Sequence, residues 1–335
     1  MLIGTVESMD DASRRSSVTA RGPIVCAGPN LALERNQRLA RLDPGAVQRT
    51  RDSLVYASGK GINVARTVVI LGGSAVVVTF VPGPLGAIAV EMARAEGIDI
   101  DEVVMGGDVR STALLLEDDG RTTVINDRGP SITPADWGRF RRTVARRLGG
   151  AAMLVCSGSL PADAPATAYA QLVTEARAAG VRSIVDATGD VLSEALAERP
   201  DLVMPNLFEA QAALHGLDRE PAATDGAGIA DQATTAAADL VGLGAGSAIV
   251  TAGAHGLAIA SGDRAPIWLA APQVDVVNTI GAGDALAGAL ALRWAAGASL
   301  SEAATEAAGV AAASVATRIP GHVDPRGFRD RAIRR

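Results

Sequence analysis

NTIGAGDALAGAL, residues 278–290, reads as a loop turning into a helix. It follows the apolar approach VDVV and sets Gly281, Ala282 and Gly283 just before apolar residues that recur at helical spacing. Small residues at a helix start leave backbone N–H groups open to an anion, and the helix dipole favours negative charge there. Asp284 follows within the first turn. A carboxylate beside phosphates does not serve charge neutralisation; it fits a proton acceptor, taking a hydroxyl proton as the oxygen attacks a terminal phosphoryl group. An N-terminal acid that only complements the dipole is the commonplace alternative. The join of three small residues to the acid favours the chemical reading. Two better-known glycine motifs fail: a Walker loop needs glycine at 54, where Leu54 stands, and a dinucleotide fingerprint needs it at 286, where Leu286 stands.

A second glycine segment lies early in the chain, in YASGKGINVA, residues 56–65. Of 31 basic residues only Lys60 is a lysine. A compact ammonium on a flexible stem does what a planar guanidinium cannot, and glycines on both sides let a ligand approach the backbone. Lys60 is therefore expected to bind substrate oxygens.

Between these segments, short apolar runs alternate with helical spacing, the pattern of a mainly parallel α/β sheet. Candidate strands are 24–27, 75–81, 151–156, 183–186, 202–204, 248–251 and 257–260, without polar alternation, as for strands covered on both faces. Candidate helices are 63–71, 87–95, 134–148, 164–179, 230–243, 282–295 and 301–317. In the third, Trp137, Phe140, Val144 and Leu148 share one face, leaving Arg139, Arg142 and Arg146 as a solvated one. Residues 34–57 lack helical period, and within 98–128 the stretch STALLLEDDGRTTVIN reads as a hairpin around DDG. Both are expected in a small sheet standing off the main one as a lid. The organisation predicted is a disordered segment 1–22, one domain 23–325 with lid segments near 34–57 and 98–128, and a frayed tail 326–335.

Aromatics at 3% offer few stacking platforms, and a net charge of −6 argues against a nucleic-acid surface. Cys26 and Cys156 sit in apolar runs and read as buried thiols, not a disulfide. His215, His255 and His322 lack ligand spacing. No apolar run reaches the length of a membrane span and no signal peptide is evident, so the cytoplasm is expected.

Taken together, SGKGINVARTVVILGG, PNLFEA (205–210) and NTIGAGDALAGAL resemble the ribokinase-like, or PfkB, sugar kinase family. SGSLP (157–161) and GPNLALER (28–35) are similar to its phosphosugar branch of 6-phosphofructokinases, 1-phosphofructokinases and tagatose-6-phosphate kinases. The resemblance implies a three-layer α/β/α fold with a small β-sheet lid, and ATP-dependent phosphorylation of a phosphorylated ketohexose. It implies Asp284 as base and Gly281, Ala282 and Gly283 as the anion hole. Asn206 and Glu209 would organise Mg2+ and water around the nucleotide, without direct protein ligands to the metal. Thr251, Ala252, Gly253 and Gly256 would line the nucleotide. Glu34, Gly59, Lys60, Asn63 and Arg110 would bind the sugar phosphate, with Arg49 a weaker candidate. A monovalent cation and a homodimer through the lids are compatible with it. Glu34 stands where the branch has aspartate, Leu31 where it has proline, and Met204 where lysine often precedes PN. These departures leave a kinase of an unphosphorylated sugar or nucleoside as the alternative, and a non-catalytic sugar-phosphate-binding regulator behind it.

Overall fold

The computed structural model describes residues 20, 22–216 and 228–324. The segment 1–22, apart from residues 20 and 22, and the tail 326–335 lie outside the described residues. The large sheet has nine strands: β1 (Ile24–Ala27), β4 (Ala75–Pro82), β5 (Asp99–Met105), β8 (Met153–Ser157), β9 (Ser183–Asp186), β10 (Leu202–Val203), β11 (Ser247–Thr251), β12 (Gly256–Ser261) and β13 (Ile267–Ala270). Their order is β13-β12-β11-β10-β9-β8-β1-β4-β5, parallel from β11 to β5, with β12 and β13 added antiparallel.

Successive residues of the central strands feed two separate cores, because side chains alternate across a sheet. Ile24, Cys26, Val77, Met153 and Val155 face α1 (Lys60–Ile70), α2 (Gly83–Ala95), α8 (Ala282–Ala295) and α9 (Leu300–Ser314). Val25, Ala27, Val76, Leu154 and Cys156 face α3 (Pro134–Leu148), α4 (Ala168–Ala178), α5 (Gly189–Ala197), α6 (Leu207–His215) and α7 (Ile229–Gly242). The result is the expected three-layer α/β/α arrangement. Both cysteines are buried and free, and burial pushes the Cys26 thiol up to about 12, so they pack as small apolar groups. In α3, Trp137, Phe140, Val144 and Leu148 are buried as read from their spacing.

The second sheet has the order β3-β2-β6-β7, formed by β2 (Ala32–Leu39), β3 (Asp52–Ser58), β6 (Arg110–Glu117) and β7 (Thr122–Asn126). β6 and β7 are the hairpin read around DDG. The range 98–128 splits, however: β5 pairs in parallel with β4 at the edge of the large sheet and is no part of the smaller one. Its alternating burial arises because only one face of an edge strand packs on the core, which in sequence looks like a lid strand. α4 starts at Ala168, not 164, since Pro165 disfavours helical backbone in the residue before it. Among the described residues no helix is long and apolar enough to cross a membrane.

Candidate functional site

In a parallel sheet the carboxyl ends of the strands share one edge, and ligands bind in the crevice outside it. That edge collects the loop after β1 (Asn30), the end of β8 (Ser157 to Ser159), Asp186 closing β9, Asn206 after β10, and residues 251–256 after β11. β1 and α1 meet there through Gly28 and Gly61, where a Cβ on either would lie 2.6 Å from the other's Cα. Any side chain would force the two apart and move the start of α1.

α8 begins beside this crevice. Gly281 is its N-cap at φ 85, a left-handed conformation that favours glycine, and a Cβ there would meet Cβ of Pro320 at 2.5 Å. The loop before it is fixed by Asn278, whose Oδ1 accepts from the Ile280 N–H and whose Nδ2 donates to the Arg318 carbonyl. Gly283 is exposed and a Cβ there would meet nothing within 4 Å, so the helix start is open on that side, while the Ala282 N–H donates to the Thr279 carbonyl at 3.4 Å. An anion fits at that mouth. Asp284 is 4% exposed and accepts from Nδ2 of Asn63 at 2.8 Å through Oδ2. Burial pushes its carboxyl up to about 6; Lys60 pulls against this and Asp186 adds to it. A base poised near working pH is efficient for proton transfer.

Lys60, at the first turn of α1, points to the end of β9. Its Nζ lies 3.1 Å from both oxygens of Asp186, which also accepts from the Ser157 hydroxyl at 2.9 Å. Burial works against the Lys60 charge, yet Asp186, Asp284 and Glu209 outweigh it and hold the ammonium above its ordinary value. Lys60 thus feels both the carboxylate on α8 and the acid on α6.

The small sheet closes over this side. Glu34 on β2 is 5% exposed and lies opposite Tyr56 of β3 and Thr112 of β6. It accepts from the Tyr56 hydroxyl at 2.5 Å and from Ser58 at 2.7 Å, so the longer side chain, where the branch has aspartate, reaches two partners on β3. An ionised carboxylate has about four lone-pair sites, so both oxygens keep acceptor capacity. Burial and the Glu34 charge push the Tyr56 phenol up, keeping it a donor. Arg110 opens β6, half-buried, with Nε donating to the Asn30 carbonyl at 3.3 Å. Asn30 in turn donates to Ser159 at 3.0 Å, tying the lid to the SGSLP loop. Arg49 lies exposed on the loop between β2 and β3.

On the other side, Asn206 caps α6 in a reciprocal box. Its Oδ1 accepts from the Glu209 N–H, and Glu209 Oε2 accepts from the Asn206 N–H, both at 2.8 Å. Asn206 also bridges Thr251 of β11, so α6 and the turn holding Ala252 and Gly253 form one wall, returned into β12 at Gly256. Met204 is buried in the core against the sheet. Among the described residues no group of three His, Cys, Asp or Glu is set to hold a metal ion.

Sequence reading passed over Asn30, Tyr56 and Arg66, and left Asp186 without a site role. Asp186 had one signal, its place at a strand's carboxyl end. Arg66 had another, a lone charge inside the apolar run INVARTVVIL. It is 1% exposed and packs directly behind Asn63.

A profile described as "pfkB family carbohydrate kinase" matches residues 31–324. The 1-phosphofructokinase of Rhodobacter capsulatus is 30% identical over 273 residues, which span 80% of this chain and 82% of that protein. The ATP-dependent 6-phosphofructokinase isozyme 2 of Escherichia coli strain K12 is 32% identical over 262 residues, 77% of this chain and 81% of that one. Among solved structures, phosphofructokinase-2 from Escherichia coli in complex with potassium aligns with a TM-score of 0.82 at 26% identity, covering 92% of this chain and 97% of that chain. The matched range runs from the residue before the strand that carries Glu34 to past the turn packed behind Gly281 and takes in the crevice apart from its β1 end with Gly28 and Asn30, and the chain belongs to the pfkB family of carbohydrate kinases.

Proposed function

We propose that this chain is a cytoplasmic, ATP-dependent kinase that transfers the terminal phosphoryl group to a hydroxyl of a phosphorylated ketohexose: fructose 6-phosphate, fructose 1-phosphate or tagatose 6-phosphate. One observation carries the reading. The buried Asp284 stands at the open mouth of α8, next to Asn63 and within electrostatic reach of Lys60 and Glu34. An acceptor hydroxyl between that carboxylate and the helix mouth is placed for attack on a phosphoryl group held by the N–H groups of residues 282–284. Asp284 takes the hydroxyl proton as the new P–O bond forms, and the bond to the departing ADP oxygen breaks. Asn63, Gly59, Lys60 and Glu34 hold the sugar, and Arg110 its existing phosphate. The second arginine to such a phosphate in the sequence reading, Arg49, is left out because it is exposed at the lid tip.

The nucleotide lies along Asn206, Glu209 and the turn at 251–256. Mg2+ supplies charge neutralisation on its phosphates. Glu209, which accepts from the Asn206 N–H, would orient water around the ion. A homodimer through the outer faces of the lids belongs to the same reading, supported by Val55, Leu115 and the exposed Ile125 on the face opposite Glu34.

The test is ADP formation from MgATP with fructose 6-phosphate, fructose 1-phosphate, tagatose 6-phosphate, ribose and adenosine as acceptors. Potassium is included because the neighbouring phosphofructokinase-2 was solved with it. Turnover of one of the three phosphosugars is expected. Turnover of ribose or adenosine alone overturns the phosphosugar assignment, and none with any acceptor overturns the kinase reading.

A further inference from the structure

Arg66 lies on α1 one turn after Asn63, with its side chain 1% exposed. A guanidinium has five N–H donors and no acceptor. All five are used: two go to the Glu96 carboxylate, one to the Ala57 carbonyl at 2.7 Å, one to the Pro320 carbonyl at 2.8 Å and one to Oδ1 of Asn63 at 2.8 Å. These acceptors come from different walls of the crevice. Ala57 is near the end of lid strand β3, Pro320 is the residue Gly281 packs on, and Asn63 touches Asp284.

The amide of Asn63 is caught between a group that can only donate and a carboxylate that, when ionised, can only accept. Its oxygen must face Arg66 and its nitrogen must face Asp284; the reverse would set N–H against N–H and oxygen against oxygen. Oδ2 of Asp284 is thereby occupied, and no described residue donates to Oδ1. Oδ1 is left as the atom that takes the proton.

We propose that Arg66 is a positioning residue for phosphoryl transfer. It fixes the amide of Asn63 so that Asp284 receives a hydrogen bond on one oxygen and presents the other to the acceptor hydroxyl, while the same guanidinium anchors the lid root and the turn behind Gly281. This rests on the kinase reading for the role of Asp284, but not for the contact itself.

The experiment follows the ionisation of Asp284 by the carboxyl 13C resonance of aspartate-labelled full-length protein, assigned by its loss in Asp284→Asn, without substrate. A hydrogen bond to the charged form lowers a carboxyl's pKa, so Arg66→Met raises the Asp284 midpoint by about one pH unit. In an Asn63→Ala background the same substitution adds no further shift, because its path runs through that amide. Glu96→Gln loosens the same cluster without touching Asn63 and leaves the midpoint in place. If Arg66→Met does not fold, Arg66→Lys carries the same comparison, since three tetrahedral donors cannot reproduce the planar fork. An unmoved midpoint, a shift equally large without Asn63, or an equal shift in Glu96→Gln overturns the proposal. Because no acceptor is needed, failure of every sugar in the kinase assay overturns the function and still leaves Arg66 decided by the titration.

Discussion

Replacing Asp284 by asparagine keeps the shape of the site and removes its proton acceptor. Loss of one general base costs about 10² to 10⁴ in kcat. The burial that sets the Asp284 carboxyl at about 6 gives the loss a pH signature. In the parent protein kcat/KM is level at pH 8 and falls about tenfold for each unit below 6, as the free enzyme's base takes up its proton. The variant lacks that acid limb, so the gap between the two narrows about fivefold from pH 6 to pH 5. Nucleotide affinity, read by calorimetry with MgADP, is kept, because asparagine leaves the helix mouth unchanged. Stability moves the other way. A carboxyl raised from 3.8 to about 6 by folding contributes fully below 3.8 and loses that contribution as pH rises through 6. The interval corresponds to roughly 3 kcal/mol that the ionised, buried group costs the parent at neutral pH. Asp284→Asn therefore unfolds at higher denaturant concentration than the parent at pH 8, with the difference shrinking toward pH 4. A variant with parental turnover, or one that keeps an acid limb near 6, refutes the assignment of the base.

Two neighbours of Asp284 are expected to move that limb in opposite directions: Lys60→Met raises its midpoint by removing a favourable positive charge, and Asp186→Asn lowers it by removing a negative one. Equal directions in the pH profiles would show that the three groups are not coupled as described. Gly281→Ala sets a Cβ 2.5 Å from Pro320 at a left-handed φ of 85, so the loop must move. Backbone strain of this kind costs about 1–3 kcal/mol, with a larger effect on kcat than on the KM for the sugar. Parental kcat and thermal midpoint in that variant would overturn the account of the bend.

Much of this was legible in the chain because the signals are local. Short apolar runs such as IVCA and MLVC, bounded by turn residues, read as strands covered on both sides, and the small residues before Asp284 mark a helix start. What escaped depends on partners distant in sequence. DIDEVVM alternates like a lid strand, and only its pairing with β4 puts it in the large sheet. Nothing near Glu34 announces Tyr56, 22 residues on, until β2 and β3 pair. Arg66 reads as an interruption of an apolar helix; its five acceptors come from positions 57, 63, 96 and 320, with no periodic signature. Asn206 and Glu209 are a middle case, since their spacing announces a capping box by itself.

The pinning of Glu34 by Tyr56 and Ser58 has a bearing on how acceptor preference could be redesigned. Shortening the acid to the aspartate usual in the phosphosugar branch withdraws the carboxylate from both hydroxyls and strands two buried donors in the lid. A swap at that position alone therefore trades one mismatch for another. Keeping the lid's buried donors satisfied takes a coordinated change at positions 34, 56 and 58.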